Sequence, residues 1–285
     1  MATTLRSSFA AERPLLVVAA LAAFVACFWP TFEWMAERFN AADSFYSHGW
    51  LVPVASAWLV WQRRQALSRL PLRPTYSGLL LLAPAILLHL LAVWSRLHVL
   101  SGLMLILAVW ALVWTYWGRE ALGALRFPLA FLLFMVPLPG ILLIGVSFHL
   151  KLAAASLATL LLRLAGVSAV QAGSLIYLPH LTMRVDDTCS GLRSLLSLVA
   201  LATLWTSLLP AATGRWRKLA VAAAAIPISL VANMVRIMLL TVIALIWGRA
   251  AAEGILHSGS GIVVFGIAVA CLAGLGRVLA GGARR

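Results

Sequence analysis

The chain of 285 residues is 63% hydrophobic and only 11% charged, with a mean hydropathy of +1.01. That leaves too little polar surface for a soluble globule of this length, so the sequence reads as an integral membrane protein. Its formal charge of +14 does not point to nucleic acid, because the basic residues form short clusters between apolar runs, as in the loops of a multispanning protein.

The first span is expected from Leu15 to Phe32. It resembles a secretory signal, yet no small-residue cleavage site precedes Phe28-Trp29-Pro30, so it reads as a retained helix. A loop with Glu33, Glu37 and Asp43 follows, then the phrase Ser44-Phe45-Tyr46-Ser47-His48-Gly49-Trp50. Trp50 to Trp61 is short for a bilayer that needs ~20 residues, and the second span is expected to begin inside that phrase. Arg63, Arg64, Arg69 and Arg73, broken by Pro71 and Pro74, make the clearest cytoplasmic loop.

Tyr76 to Trp94 and Val99 to Trp117 form an expected helical hairpin, turned by Ser95-Arg96-Leu97-His98 and anchored by interfacial Trp and Tyr. A basic loop is expected from Gly118 to Arg126, and a fifth span from Phe127 that must stop or bend at Val136-Pro137-Leu138-Pro139-Gly140. Residues 141–166 are helical in composition but carry His149, Lys151 and Arg163; they span, re-enter or lie in the interface. Gln171 to Arg184, with Gly173, Pro179 and alternating Leu175, Tyr177, Leu181 and Met183, reads as a short strand-like loop. It delivers the chain to Asp186-Asp187-Thr188-Cys189-Ser190-Gly191-Leu192-Arg193-Ser194, a polar knot opening onto the apolar run Leu195 to Leu209. The basic loop Arg215-Trp216-Arg217-Lys218, a helix to Trp247 and a last span from about Ser258 to Gly276 complete the chain.

The expected fold is all-α, a polytopic membrane bundle of about eight transmembrane helices. It is read as one integral membrane domain over 1–285, with N-terminal spans in 15–126 and the catalytic part in 127–285. With that count, 14 of the 22 Lys and Arg residues fall inside and six of the eight acids outside, which favours both termini in the cytoplasm.

Three cysteines make no disulfide framework. Cys27 and Cys271 lie in apolar runs, where a small soft side chain packs. Cys189 alone has polar neighbours, at the first turn of a helix whose unpaired N–H groups favour a thiolate. Arg236 lies 17 residues past Leu219, about 26 Å along a helix. It therefore reaches the outer leaflet, as do Cys189 and His257 at the outer ends of their helices. The chemistry this suggests is attack of Cys189 on a peptide carbonyl, with His257 as base and then acid. Arg236 would stabilise the oxyanion or hold a substrate carboxylate. Ser190, Gly191 and the first-turn amides would help to form the oxyanion hole, and Asn233 would orient Arg236 from the same helical face.

Each residue also has a plainer reading. Cys189 would pack, Arg236 would pair with Asp186 or Asp187, and His257 would be a satisfied interface residue. The remaining histidines read as structural, with His48 the one rival base because its phrase lies on the same outer side.

The ordered set of Asp43 with Tyr46-Ser47-His48-Gly49, the segment Phe131 to Pro139, Cys189-Ser190-Gly191-Leu192-Arg193-Ser194, Asn233 to Ile237 and His257-Ser258-Gly259 resembles the exosortase/archaeosortase family of multispanning cysteine transpeptidases. The resemblance covers nearly the whole chain. It implies Cys189, Arg236 and His257 as the catalytic triad, with no cofactor or metal. It also implies membrane-anchored protein substrates that end in a Pro-Glu-Pro-like motif, one transmembrane helix and a basic tail. The expected location is a bacterial inner membrane, with the site facing the periplasm and an acceptor nucleophile that the sequence does not identify. Arg184, Arg193 and Arg236 would meet the acidic residue of the motif. A reading from another class is a transporter or flippase for a polysaccharide or lipid intermediate, with Arg236 and the break at Pro137 lining its path. Internal repeats would favour that reading, and none relates the two halves.

Overall fold

Buried side chains at Phe28, Thr31, Met35 and Phe39 form one stripe at helical spacing. That stripe carries the first helix, α1 (Ala2–Asn40), past the end expected from hydropathy. Glu33 and Glu37, assigned to a loop by the sequence, lie on the exposed side of its last turns. A computed structural model describes residues 2–42, 44–71, 73–179, 181–185, 190–210, 212–248 and 255–281. Two compact units emerge, Met1–Ala41 with Ser47–Pro137, and Ala42–Tyr46 with Leu138–Arg285.

In the first unit a 3-10 turn at Ser47–Trp50 leads into α2 (Leu51–Gln62), the short α3 (Arg64–Ser68), α4 (Leu79–Trp94) and α5 (His98–Phe131). The second apolar helix thus begins in the Tyr-Ser-His-Gly phrase. The hairpin of α4 and α5 turns at Ser95 to Leu97, with Arg96 at a positive φ of 56°.

A buried polar relay ties three helices of this unit together. The His89 ring contacts the Cys27 carbonyl through Nε2 and the Ser101 hydroxyl through Nδ1, each at 2.9 Å. A carbonyl only accepts, so the proton sits on Nε2 and Nδ1 accepts from Ser101. Ser101 in turn accepts from Thr31. Each buried polar group is thereby paired, which burial requires.

Helix α5 contains one non-helical residue, Gly118, at φ 85° and ψ −179°. The stretch from Gly118 to Arg126 was expected as a loop and is instead helical beyond that break. Leu125 and Leu129, one turn apart, bury against Val113, Val109 and Val60, which supplies the packing that holds it. Phe127 therefore lies inside a helix and begins no new span. The prolines act as expected: a 3-10 turn at Leu132–Met135 and extended backbone at Val136 and Pro139 separate α5 from α6 (Gly140–Leu164).

The second unit opens with α6, whose 25 residues form one continuous helix long and apolar enough to cross a membrane. The strand-like loop is a three-stranded antiparallel sheet, β1 (Val170–Ala172), β2 (Leu175–Leu178) and β3 (Leu181–Arg184), in the order β1-β2-β3. Gly173, at φ 61°, supplies the left-handed turn residue between β1 and β2. Ile176 and Leu178 on one face of β2 bury against Ala155, Ala158 and Leu162 of α6 and against Ile237. The remaining elements are α7 (Leu192–Leu208), α8 (Arg215–Trp247) and α9 (Ile255–Gly281). They pack through Leu198, Ala202, Val221, Ala225, Ala268 and Leu272, a core rich in small residues that lets the helices approach closely. Arg215, Arg217 and Lys218, expected in a loop, form the first turn of α8.

Six helices among the described residues are long and apolar enough to cross a membrane, and two further apolar helices, α2 and α7, have 12 and 17 residues. The protein is a helical, polytopic membrane protein with one small sheet among the described residues.

At Gly118 an added Cβ would lie 2.6 Å from the Arg73 carbonyl oxygen, and the backbone is in a region L-residues avoid. Gly118→Ala is expected to lower stability by about 1–3 kcal/mol. Thermal unfolding of the detergent-solubilised protein measures it, and an unchanged midpoint contradicts the account of the break.

Candidate active site

Six residues flagged in the sequence, Ser190, Gly191, Arg193, Ser194, Asn233 and Arg236, converge where the N-terminal turns of α7 and α9 meet the far half of α8. Arg236 lies 21 residues beyond Arg215, roughly 32 Å along the helix. Helices α7 and α9 run antiparallel to it. Their first turns therefore reach the depth of Arg236.

Gly191, just before α7, is in the left-handed conformation at φ 80°. A Cβ there would fall 2.8 Å from the Asn233 side-chain carbon Cγ, so only glycine lets the turn close onto α8. The Gly191 carbonyl takes the first helical bond from Leu195 N–H at 2.9 Å and a second from the Ser194 hydroxyl at 2.8 Å. Ser194 Oγ also lies 3.4 Å from Ser229 Oγ on α8. With the Ser194 proton spent on Gly191, Ser229 is the donor of that pair. Ser190 is buried, and its hydroxyl accepts from Leu192 N–H at 3.3 Å.

On the other side, Arg236 Nε donates to Ser260 Oγ of α9 at 3.4 Å. The guanidinium lies over Gly261, where a Cβ would come within 3.4 Å of Cζ and Nη2. Between these contacts is a cavity of about 30 Å³ bounded by Ser194, Ser229, Asn233, Arg236, Gly261 and apolar residues. It is large enough for a water, and its polar wall supplies partners.

A third strand of contacts reaches this region from residues 42–46. Arg193 Nη2 donates to the Ala42 carbonyl at 3.3 Å, and Leu138 N–H donates to Tyr46 Oη at 3.0 Å. The Tyr46 N–H is taken by Ser44 Oγ at 2.8 Å. Burial pushes the Tyr46 hydroxyl pKa up, against a smaller opposite pull from Leu138, so it stays protonated. The early tyrosine thus pins the chain between Pro137 and Pro139.

Of the predicted site residues, Ser190, Gly191, Arg193, Ser194, Asn233 and Arg236 belong to this one region. Cys189, with Asp186 and Asp187, lies outside the described residues, as does the His257 side chain. Position 257 falls within α9, three and four residues before Ser260 and Gly261 and hence on the same helical face. His48 sits, partly buried, on the 3-10 turn of the first unit. The sequence reading missed Ser229, Ser260 and Gly261. Ser229 was recoverable, because it completes an i, i+4, i+7 polar stripe with Asn233 and Arg236 in the apolar stretch that follows Lys218.

The fold and this junction define a class: a polytopic α-helical membrane protein with an arginine-centred polar site where the first turns of two helices meet a third. The family model described as transmembrane exosortase matches residues 34–274, well over half of the chain, and the protein belongs to that family. No curated protein and no solved structure matches the chain.

The contact between Gly191 and Asn233 gives a coupled prediction. Gly191→Ala is expected to cost about 1–3 kcal/mol, from left-handed strain and the clash with Asn233. Part of that cost, at least about 0.5 kcal/mol, disappears in an Asn233→Ala background, because the contacts with Cγ at 2.8 Å and Nδ2 at 3.0 Å go, while the left-handed strain and the 3.0 Å approach to Cβ remain. Unfolding midpoints of the two single variants and the double variant measure the coupling; strict additivity contradicts the packing described.

Proposed function

We propose that the protein is a cysteine transpeptidase that cleaves membrane-anchored proteins at a C-terminal sorting signal. The signal would be a Pro-Glu-Pro-like motif followed by one transmembrane helix and a basic tail. Cys189 is the nucleophile, His257 the general base and then acid, and Arg236 the oxyanion or substrate stabiliser. The observation that carries this reading is the packing of Gly191 on Asn233 together with Arg236 against Ser260 and Gly261. Residue 189 is two positions from the first contact, and residue 257 is one turn from the second.

In this reading the Cys189 thiolate adds to the scissile carbonyl, and the oxyanion is met by Arg236 and the amides at the start of α7. The amide C–N bond breaks, and the proton taken by His257 goes to the leaving amine, which departs with the substrate's transmembrane helix. The acyl group stays on sulfur as a thioester until an acceptor nucleophile attacks it and the thiolate is released. A guanidinium suits the electrostatic task because it stays charged at any physiological pH and presents planar donors.

The topology belongs to the same proposal: about eight crossings, both termini cytoplasmic, and the site at the periplasmic face of a bacterial inner membrane. The weight of Lys and Arg in the inside segments supports it. That orientation suits the substrate, whose basic tail stays inside while its motif meets the site. Its acidic residue would face Arg184, Arg193 and Arg236.

Coexpression with a protein bearing such a signal tests the roles. Cys189→Ala, Arg236→Ala and His257→Ala are each expected to slow processing by about 10³-fold or more, with double variants little worse than single ones, since the three act as a unit. Processing by Cys189→Ala at the rate of the unaltered protein sinks the mechanism.

A further inference from the structure

The end of the α4 and α5 hairpin opposite its tight turn carries a second polar site, independent of the chemistry proposed above. There a cavity of about 640 Å³ is lined by Arg73, Arg119, Glu120, Trp114 and Trp117, with Thr75 and Ser77. Its volume lies within the range of small-ligand sites.

Two backbone contacts build it. The Thr75 N–H donates to the Thr115 carbonyl at 3.0 Å, and the Arg73 carbonyl runs against Gly118. The loop bearing Arg73 is thus held to the point where α5 breaks, and Arg119, the next residue, is carried to the same rim. The first arm of α5, His98 to Trp117, is 20 residues, roughly 30 Å and the thickness of a hydrocarbon core. The cavity therefore lies at headgroup depth. Tyr76, Tyr116 and Trp117, all exposed, form an aromatic belt at that level.

The charges are suited to an anion. Two guanidiniums face one carboxylate, and the ion pair between Arg73 Nη1 and Glu120 Oε1 is long at 3.6 Å and exposed. Such a pair contributes little and is readily exchanged for a better acceptor. Thr75 and Ser77 share one hydroxyl hydrogen bond at 2.9 Å, which leaves a second hydroxyl proton to donate. Arginine binds phosphate oxygens in bidentate fashion, and the indoles offer apolar faces to the carbon skeleton beside the phosphate.

We propose that this cavity binds the phosphate group of a phosphate ester, held by Arg73 and Arg119, with Trp114 and Trp117 against its aliphatic part. Glu120 competes for Arg73 and so weakens the hold on a purely anionic group.

The test uses the full chain. The unaltered protein, Arg73→Gln/Arg119→Gln and Glu120→Gln are reconstituted in vesicles of phosphatidylcholine and phosphatidylglycerol. Lipid carried through extraction is then counted by native mass spectrometry, and a parallel arm titrates inorganic phosphate into the detergent-solubilised proteins. The double variant is expected to lose about tenfold in phosphatidylglycerol retention, and Glu120→Gln to retain more than the unaltered protein. Loss of inorganic phosphate binding in the double variant, with lipid retention unchanged, assigns the same site to a soluble phosphate. Unchanged binding in both arms overturns the proposal, and so does a loss in Glu120→Gln equal to that of the double variant. All three side chains are exposed, so folding is not at stake.

Discussion

An arginine inside an apolar helix must be answered by its surroundings. Insertion scales put the cost of placing one there at about 2.5–3.5 kcal/mol at the bilayer centre and lower toward its faces, and the protein answers it by packing polar and small residues around the guanidinium. Arg236 lies over Gly261 and reaches Ser260 on α9, while one turn earlier on the same face Asn233 packs on Gly191 at the start of α7. Two glycines thus let two backbones approach α8 closely enough for its polar stripe to be covered. The small-residue core of Ala202, Ala225 and Ala268 lower in the same three helices keeps their spacing short enough for those contacts. A larger side chain at either glycine would push a helix outward and expose the guanidinium to lipid.

The same arrangement explains the irregular elements beside it. The sheet of residues 170–184 buries Ile176 against α6 and Ile237, and so ends next to the residue that follows Arg236. The break at Pro137 and Pro139 frees a backbone N–H that Tyr46 then satisfies. Irregular backbone at membrane depth is tolerated only where protein groups satisfy it, and here the Leu138 N–H has its partner in the Tyr46 hydroxyl.

Much of this was legible in the sequence. The hairpin ending at Trp94, the stop at Pro137, the start of the second apolar helix in the Tyr-Ser-His-Gly phrase and the strands around Gly173 all follow from local rules about proline, glycine and alternation. The helical stretch after Gly118 was not legible, because Arg119, Glu120 and Arg126 mask a narrow apolar stripe of Leu125 and Leu129 that only tertiary packing uses. For the same reason Glu33 and Glu37 concealed the last turns of α1. Within the candidate site, Arg236 and Asn233 stood out as polar breaks in an apolar run. Ser229, Ser260 and Gly261 did not, since their importance depends on which helix faces them.

The account rests on a covalent intermediate at position 189, and the most direct measurement is to look for it. Membranes containing the protein and a substrate with the sorting signal are quenched in acid, and the peptide that carries Cys189 is weighed by mass spectrometry. The account predicts a thioester adduct that adds the mass of the substrate's N-terminal fragment less one water, removed by hydroxylamine and missing when residue 189 is serine. Cleaved substrate with no adduct at Cys189 at any time point, or an adduct on another residue, would contradict it.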